Sequence, residues 1–461
     1  MKKKIFFAIA IVGVISTHAQ TYNHYYGNIH AHTAYSDGNK DSATSMMSTP
    51  LQDFQYAKQS AHIDFYGISE HNHLQAGMKS PGDWHQGLLD ANAVNQDSTF
   101  VAMYGMEFGV ISNGGHVVIY GCDSLFGWDT NDYDVYVPEY DYHTLWNKIN
   151  ATPGAFATFA HPQTTDYDSI YFKPYDPLAD SAVVGTAMRS GNAFSTTSSY
   201  NDPAATSYLA RYKDALRLGY HVGASLDHDT HYSVFGRQTA GRTVVLAKAL
   251  TRADIISAYK AMRFYSSDDW NVKVDFTITN HVMGSICSEA YNPVISVHVI
   301  DPDVAETVTS IKVYSGIPGS GIAPTLLTSV SNSSTLLYTA PLANLATNYY
   351  YLDITQGDTD RIWTSPIWYK RNDALAGIEN YNSYKPNFAI YPNPNKGNFK
   401  IELDKNLGYL FTIEIFNSIG QLIYKESSNA EIDVNGLANG VYTVKLTTSE
   451  GVNTKRLIVE Q

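Results

Sequence analysis

The sequence predicts an α/β unit over residues 22–270 followed by two small all-β sandwiches, over 271–370 and 387–461, joined by a linker over 371–386. Three observations predict it. Up to about residue 270, apolar runs of strand length alternate with helix-patterned stretches, as parallel βαβ units require. Near residue 271 the pattern changes to short, β-branched, alternating runs separated by Gly, Pro, Asn and Ser, which is the pattern of a sandwich. From Asn387 onward, Pro392-Asn393-Pro394, Lys396-Gly397 and Asn439-Gly440 punctuate a further set of strands.

In chain order, Tyr26-Gly-Asn-Ile29 leads into His30 and His32, with Asp37 five positions further on. Side chains on a strand repeat every two residues, so both imidazoles point the same way. Ser48-Thr49-Pro50, with Leu51, Phe54 and Ala57 behind it, reads as a capped helix with Pro in its first turn. Buried-strand runs follow at Asp64–Ser69, at Thr99–Met106 ending in Glu107, at His116–Gly121, and at Ala155–Ala160 ending in His161-Pro162. Pro203–Leu218 carries Leu209, Tyr212 and Leu216 on one face and stops at Gly219, a helix with a glycine C-terminus. Tyr220–Leu226 reads as a strand running into Asp227-His228-Asp229-Thr230-His231. Thr251 with Asp254 caps a helix to Met262. In the second unit, Val272–Ile278, Val294–Val299, Ser310–Tyr314 and Tyr349–Ile354 read as strands.

Composition bounds the function classes. The chain has 461 residues, 44% hydrophobic and 16% charged, which suits folded globular material. A formal net charge of −13 argues against nucleic acid as the main partner. Lys2-Lys3-Lys4, the apolar Ile5–Ile15 and Thr17-His18-Ala19 form a basic, an apolar and a small-residue region in the order of an export signal. Residues 1–19 are therefore expected to be removed and the remainder exported. No later stretch has about 18 consecutive apolar residues, so no transmembrane helix is expected. Cys122 and Cys287 are far apart in sequence, and sequence leaves open whether they pair.

The polar residues collect at strand ends. Four apolar runs end in His30/His32, Glu70-His71, Glu107 and His161, and a fifth runs into the Asp/His cluster; His116 stands instead at the start of its run. In a closed parallel barrel the C-terminal strand ends share one mouth, where catalytic groups gather. Imidazoles mixed with carboxylates suit Zn, Mn or Fe better than Mg, and one carboxylate can bridge two ions. No G-x-S-x-G elbow is present, which disfavours a serine hydrolase.

The ordered motifs Tyr26-GNIHAHTAYSDG38, DFYGISEHN72, GME107, H116VVIYG, AHP162 and D229TH231 resemble those of the PHP (polymerase and histidinol phosphatase) superfamily. Within it the chain is most similar to the secreted CehA/McbA-like metallohydrolases. The resemblance covers residues 24–270 and extends through Tyr349–Trp368 into the attached sandwich. It implies a distorted seven-stranded β/α (TIM-like) barrel holding two or three divalent metal ions. It also implies one ion on His30, His32, Glu107 and Asp229, a second shared by Glu107 with His116 and His161, and a third on Asp37, His71 and His231. Glu107, Asp229 and His231 would stand at the catalytic centre. Two departures are visible: Glu70 stands where an Asp is usual, and Asp227 and His228 rival Asp229 and His231.

The implied activity is that of an exported metal-dependent hydrolase, first of all a phosphoesterase for mono- or diesters using a metal-bridging hydroxide. The substrate would be a small-molecule or polymer-derived ester. Arg237, Arg242 and Arg189, with Arg263, are candidate substrate cations, because guanidinium matches phosphate oxygens. Carbamate, ester or amide hydrolysis at the same centre is the second expectation, and a surface binding protein with structural metal is the third. Finally, IYPNPNKGNF, IFNSIGQLIY and LANGVYTVKL over 387–461 resemble the type A sorting domain of the type IX secretion system of Bacteroidota. That implies the secretion machinery as a partner and a secreted or cell-surface location reached through the periplasm.

Overall fold

The computed structural model describes residues 22–78, 81–110, 114–129, 132–202, 204, 206–303, 305–377, 387–403, 411–428, 432–448 and 451–460. The export signal expected over 1–19 and residues 378–386 of the expected linker lie outside these residues.

The expectation of an α/β class with a closed seven-stranded β/α barrel is corrected by the structure. Strands hold 41% of the described residues and helices 18%. Apart from the separate pair Phe126–Gly127 and Val135–Tyr136, the strands of the first unit belong to one large, open, mixed sheet. Its path runs Gly223–Asp227, Val183–Ser190, Phe156–Phe159, Val117–Tyr120, Val101–Phe108, Phe65–His71, Asn23–Asn28, Arg242–Ala247 and Phe264–Ser267. It then continues without a break through Arg361–Thr364, Thr347–Gln356, Val308–Gly316 and Thr325–Ser331.

Pairing direction is the physical reason. Val101–Phe108 with Val117–Tyr120, and Val117–Tyr120 with Phe156–Phe159, are antiparallel, as are both pairings of Arg242–Ala247. Parallel neighbours need long crossovers, whereas the short segment between Phe108 and Val117 turns the chain straight back. The free edge of Phe264–Ser267 pairs with Arg361–Thr364, so it is not available to close a barrel. Among the described residues no ladder joins Gly223–Asp227 to Arg242–Ala247. They meet through Thr243, whose hydroxyl accepts from Leu226 N and donates to Leu226 O, both at 2.8 Å.

Local chemistry sets the helices. Thr49 accepts from Gln52 N at the start of Pro50–Ala57, and Thr251 accepts from Asp254 N at the start of Arg252–Lys260. Gly219 takes a left-handed φ of 105° and ends Leu209–Leu218. The helices Pro81–Val94 and Tyr142–Ala151 and the strands Val183–Ser190 and Arg242–Ala247 were not among the sequence expectations.

Among the described residues three hydrophobic cores are present. The first surrounds Trp84, Tyr120, Trp146 and Tyr259, and it also takes in Tyr349, Tyr351, Trp363 and Trp368 from beyond residue 271. The second lies between the large sheet and the four strands His281–Val282, Lys273–Ile278, Val294–Ile300 and Thr335–Thr339. The third is enclosed by a three-stranded and a four-stranded sheet within Phe388–Val459. Cys122 and Cys287 are both free, and burial pushes each thiol up to about 12.

Candidate metal centre

The sheet places the site residues. Phe65–His71 and Val101–Phe108 run parallel and in register, with His71 opposite Glu107. Beyond Asn28 the chain stays extended beside them. Ser69 N donates to Ala31 O at 2.8 Å on one side, while Asp229 N donates to His30 O at 2.9 Å and His32 N to Thr230 O at 2.8 Å on the other. His30 and His32 thus lie wedged between Phe65–His71 and the segment Asp229–His231. His116 precedes Val117–Tyr120, which runs antiparallel to Val101–Phe108, so the start of that strand meets the end of its neighbour. This explains why a histidine at the beginning of a run joins histidines at the ends of others. His161 and Asp229 both adopt positive φ, 27° and 52°, turning their side chains inward where the chain leaves a strand.

Glu107 is at the centre and fully buried. Its Oε1 lies 3.1 Å from His30 Nε2, 3.0 Å from His116 Nδ1 and 3.1 Å from His161 Nε2. Its Oε2 lies 3.3 Å from His32 Nε2 and 3.2 Å from His71 Nδ1. Asp229 Oδ1 is 3.3 Å from His30 Nε2 and 3.2 Å from His32 Nε2. Asp37 Oδ1 is 3.3 Å from His231 Nε2 and 3.7 Å from His71 Nε2. All nine histidines and carboxylates expected as ligands therefore face one another.

The donor set fits divalent ions. Both ring nitrogens of His30, Nδ1 of His71 and of His116, Glu107 Oε2 and Asp37 Oδ1 are buried without a hydrogen-bond partner. Buried polar atoms are nearly always satisfied, so this concentration of unsatisfied ones is chemistry that a cation would fit. Within this cluster, among the described residues, four groups have donor atoms close enough to share an ion: His32/His71/His231, His30/His32/Glu107, His30/His161/Asp229 and His71/Glu107/His116. Glu107 belongs to two of them, as a bridging carboxylate does. The groups overlap: His161 stands with His30 and Asp229, and His71 stands both with His32 and His231 and with Glu107 and His116.

Burial opposes charge throughout the cluster, and the pairings reverse it. Burial works against protonation of His30, but Glu107 and Asp229 raise its pKa well above the ordinary value. His32 is lifted to about 9 against burial by its bonds to Asp229 and Glu107. Glu107 and Asp229 are held well below the carboxylate range, again against burial, by the surrounding imidazoles. His71 goes the other way, because burial and its histidine neighbours outweigh Glu107.

The rival ligands stand behind the centre. Asp227 Oδ2 is 3.6 Å from His30 Nδ1, at the ring nitrogen other than the one that meets Glu107. His228 is buried against Gly241 O at 2.9 Å and beside Arg242, and burial pushes it down to about 3. Glu70 is fully buried and accepts from Thr33 N at 3.1 Å and from the hydroxyls of Thr33 and Ser36, so it pins the segment between His32 and Asp37.

A cavity of about 330 Å³ opens over the centre, lined by Asp37, His71, Glu107, His116, His161, Asp229 and His231 and by Gln163, Ser190, Phe194 and Tyr208 among others. The last four were not among the sequence expectations, and no motif marks them. The expected substrate cations lie elsewhere, which corrects that reading. Arg242 is fully buried and donates to the carbonyls of His62, Thr239, Gly241, Ala61 and Gly236. Arg237 binds Ser60 and stacks on Tyr56, Arg189 pairs with Asp268 at 2.9 Å, and Arg263 binds Leu246 O. Each guanidinium is used by the fold.

Comparison with known proteins is informative mainly at the C-terminus. An uncharacterised protein of Chlamydia pneumoniae is 25% identical over 185 residues, 37% of this chain and 30% of that protein, so the chain spans less than a third of this relative's length. Fibronectin(III)-like modules of Clostridium thermocellum CbhA match 41% of the chain and 95% of theirs at 16% identity and a TM-score of 0.16. A two-domain fibronectin type III segment of chicken tenascin matches 40% and 98% at 9% identity, also at 0.16. Scores this low carry no argument about the fold. Among the described residues no helix is long and apolar enough to cross a membrane. Residues 389–460 match the family described as the secretion system C-terminal sorting domain. The chain thus carries a type IX sorting unit, which implies the type IX machinery as a partner and a secreted or cell-surface location.

Proposed function

We propose that this protein is an exported metal-dependent hydrolase acting first of all on phosphoesters. The observation that carries the reading is the ring of buried, unsatisfied imidazole and carboxylate atoms around Glu107 beneath an open cavity. The ordered motif resemblance to PHP metallohydrolases of the CehA/McbA-like group supports it. Zn, Mn or Fe ions bound there would supply Lewis acidity and lower the pKa of a water molecule.

The chain's own residues do the rest. Glu107 holds imidazoles from five positions around one carboxylate and so fixes the spacing of any ions bound there. Asp227 stands behind His30, and Glu70 holds the segment that carries Asp37. Two or three divalent ions would bring more positive charge than Asp37, Glu107 and Asp229 remove, which favours an anionic substrate such as a phosphate ester. A cation also stands near the rim: Lys40 Nζ is 3.2 Å from Asp37 Oδ2 and 5.7 Å from the Phe194 ring centroid. The second reading, a carbamate, ester or amide substrate, is favoured by Phe194 and Tyr208 in the wall and by the lack of any Arg or Lys among the described residues of the cavity lining.

The test is metal content by mass spectrometry on the purified chain, with hydrolysis of p-nitrophenyl phosphate, bis-p-nitrophenyl phosphate and an aryl carbamate. At least two ions per chain and phosphoester turnover are expected, with both reduced in Glu107→Gln and His161→Ala. Bound metal with carbamate turnover alone selects the second reading. A metal-free chain whose stability is unchanged in both variants rejects the hydrolase.

A further inference from the structure

The cavity over the histidine centre has a wall that the expected ligands do not supply. Ser190, Gly191, Ala193 and Phe194 line it in one run, beginning at the end of the strand Val183–Ser190. That strand reaches the cavity as Phe65–His71 does, but its last residue is a serine instead of a histidine.

Ser190 is 5% exposed and borders the cavity. Two observations fix which way it points. Its neighbour Arg189 turns to Asp268 at 2.9 Å and lies over the Trp363 ring, and successive side chains on a strand take opposite faces. In the parallel ladder with Gly223–Asp227, Ser190 stands opposite Asp227, whose carboxylate reaches His30 Nδ1 at 3.6 Å. Residues opposite one another in a ladder share a face, so Ser190 faces the histidine centre. Among the described residues no protein group hydrogen-bonds its hydroxyl. Buried hydroxyls are nearly always partnered, so this one is a donor that an acceptor in the cavity would satisfy. The backbone holds it in place: Gly191 N donates to Asp227 O at 2.7 Å, and His231 N donates to Ala193 O at 3.0 Å. A Cβ at Gly191 would come within 2.4 Å of His228 O, so the turn after Ser190 is packed directly on the segment that carries Asp229.

We propose that Ser190 contacts the substrate, its hydroxyl donating to a non-bridging oxygen of the phosphoester, an assignment that rests on the phosphoester reading above. The cavity lining holds no Arg or Lys among the described residues, so an ester oxygen that projects away from the centre meets neutral donors there. A serine hydroxyl suits this task, because its proton rotates to follow the acceptor. Ser190 is thereby a specificity-determining residue: a substrate without an acceptor at that position leaves the hydroxyl unpaired.

The experiment titrates inorganic phosphate calorimetrically into the full, metal-loaded chain and into its Ser190→Ala and Ser190→Thr variants, alongside p-nitrophenyl phosphate kinetics. Ser190→Ala should keep the parent's metal content and cooperative melt but bind phosphate about 10- to 100-fold more weakly, as loss of a hydrogen bond to a charged group predicts. Its KM for p-nitrophenyl phosphate should rise by a similar factor with kcat within about threefold of the parent, because the contact is made in ground and transition states alike. Ser190→Thr, which keeps the hydroxyl, should return phosphate affinity and KM to within about threefold of the parent. Equal phosphate affinity in the parent and Ser190→Ala overturns the proposal and leaves the phosphoester reading standing. Loss of metal from Ser190→Ala also overturns it, since the hydroxyl would then serve the centre and not the substrate. A metal-loaded parent that neither binds phosphate nor turns over the ester overturns both.

Discussion

Five imidazole nitrogens crowd one carboxylate at Glu107, and no arrangement of protons satisfies them all. In the metal-stripped protein this crowding ties stability to pH. His32, with an ordinary pKa of 6.5, is lifted to about 9, and His30 and His161 are also raised. Their contribution is full below 6.5 and is lost as pH climbs toward 9. Glu107 and Asp229 are depressed from 4.5 and 3.8, so their contribution is present above those values and is lost as pH falls. The stripped protein should therefore melt highest between about pH 4.5 and 6.5 and lose stability toward pH 9. The metal-loaded protein should tighten over that same upper range, because ligands shed protons on binding. Melts of both forms across pH check this, and parallel curves would refute it. Asp227→Asn should leave the fold intact and weaken metal binding about 10- to 100-fold, measured by competition with a chelator.

At the scale of elements, the site depends on close strand packing. Gly67 lies where a Cβ would come within 2.4 Å of the Tyr120 hydroxyl and 2.8 Å of Ile29 Cα, and Tyr120 itself donates to Ile29 O at 2.7 Å. Gly67→Ala should push apart the strand carrying Glu70 and His71 and the segment leading to His30. A destabilisation of about 1–3 kcal/mol by chemical denaturation is expected, with reduced metal content. Much of this level was legible in sequence. Strand-end histidines announced the centre, and Thr49, Thr251 and Gly219 marked helix ends that are observed. His116 could not be placed from its run alone, because its position follows from an antiparallel pairing that local sequence does not encode. The arginines misled for a similar reason: guanidinium side chains suit buried carbonyls as well as phosphates, and only packing tells which they meet.

Across the whole molecule, the boundary near residue 271 is a change in sequence pattern rather than a division of the fold. Phe264–Ser267 pairs directly with Arg361–Thr364, and Trp363, Trp368, Tyr349 and Tyr351 belong to the first unit's core. Truncation at residue 270 should therefore give an insoluble or molten product, while truncation at 377 should keep a cooperative melt and full metal content. Removal of 387–461 leaves the first two cores untouched, since that unit has its own. A soluble, metal-loaded 20–270 fragment would contradict this account.

The sequence by itself determined which histidines and carboxylates stand at strand ends and which segment is the sorting unit. Both are written in side-chain identity at short spacing, where periodicity and turn residues act locally. Tertiary structure alone decided that the sheet stays open, that His71 shares Glu107 with His116, and that the arginines serve the fold. Those outcomes depend on strand direction and on which edge finds a partner, and both are settled by pairings, such as Phe108 with Val117 and Tyr265 with Thr364, that neither segment specifies alone.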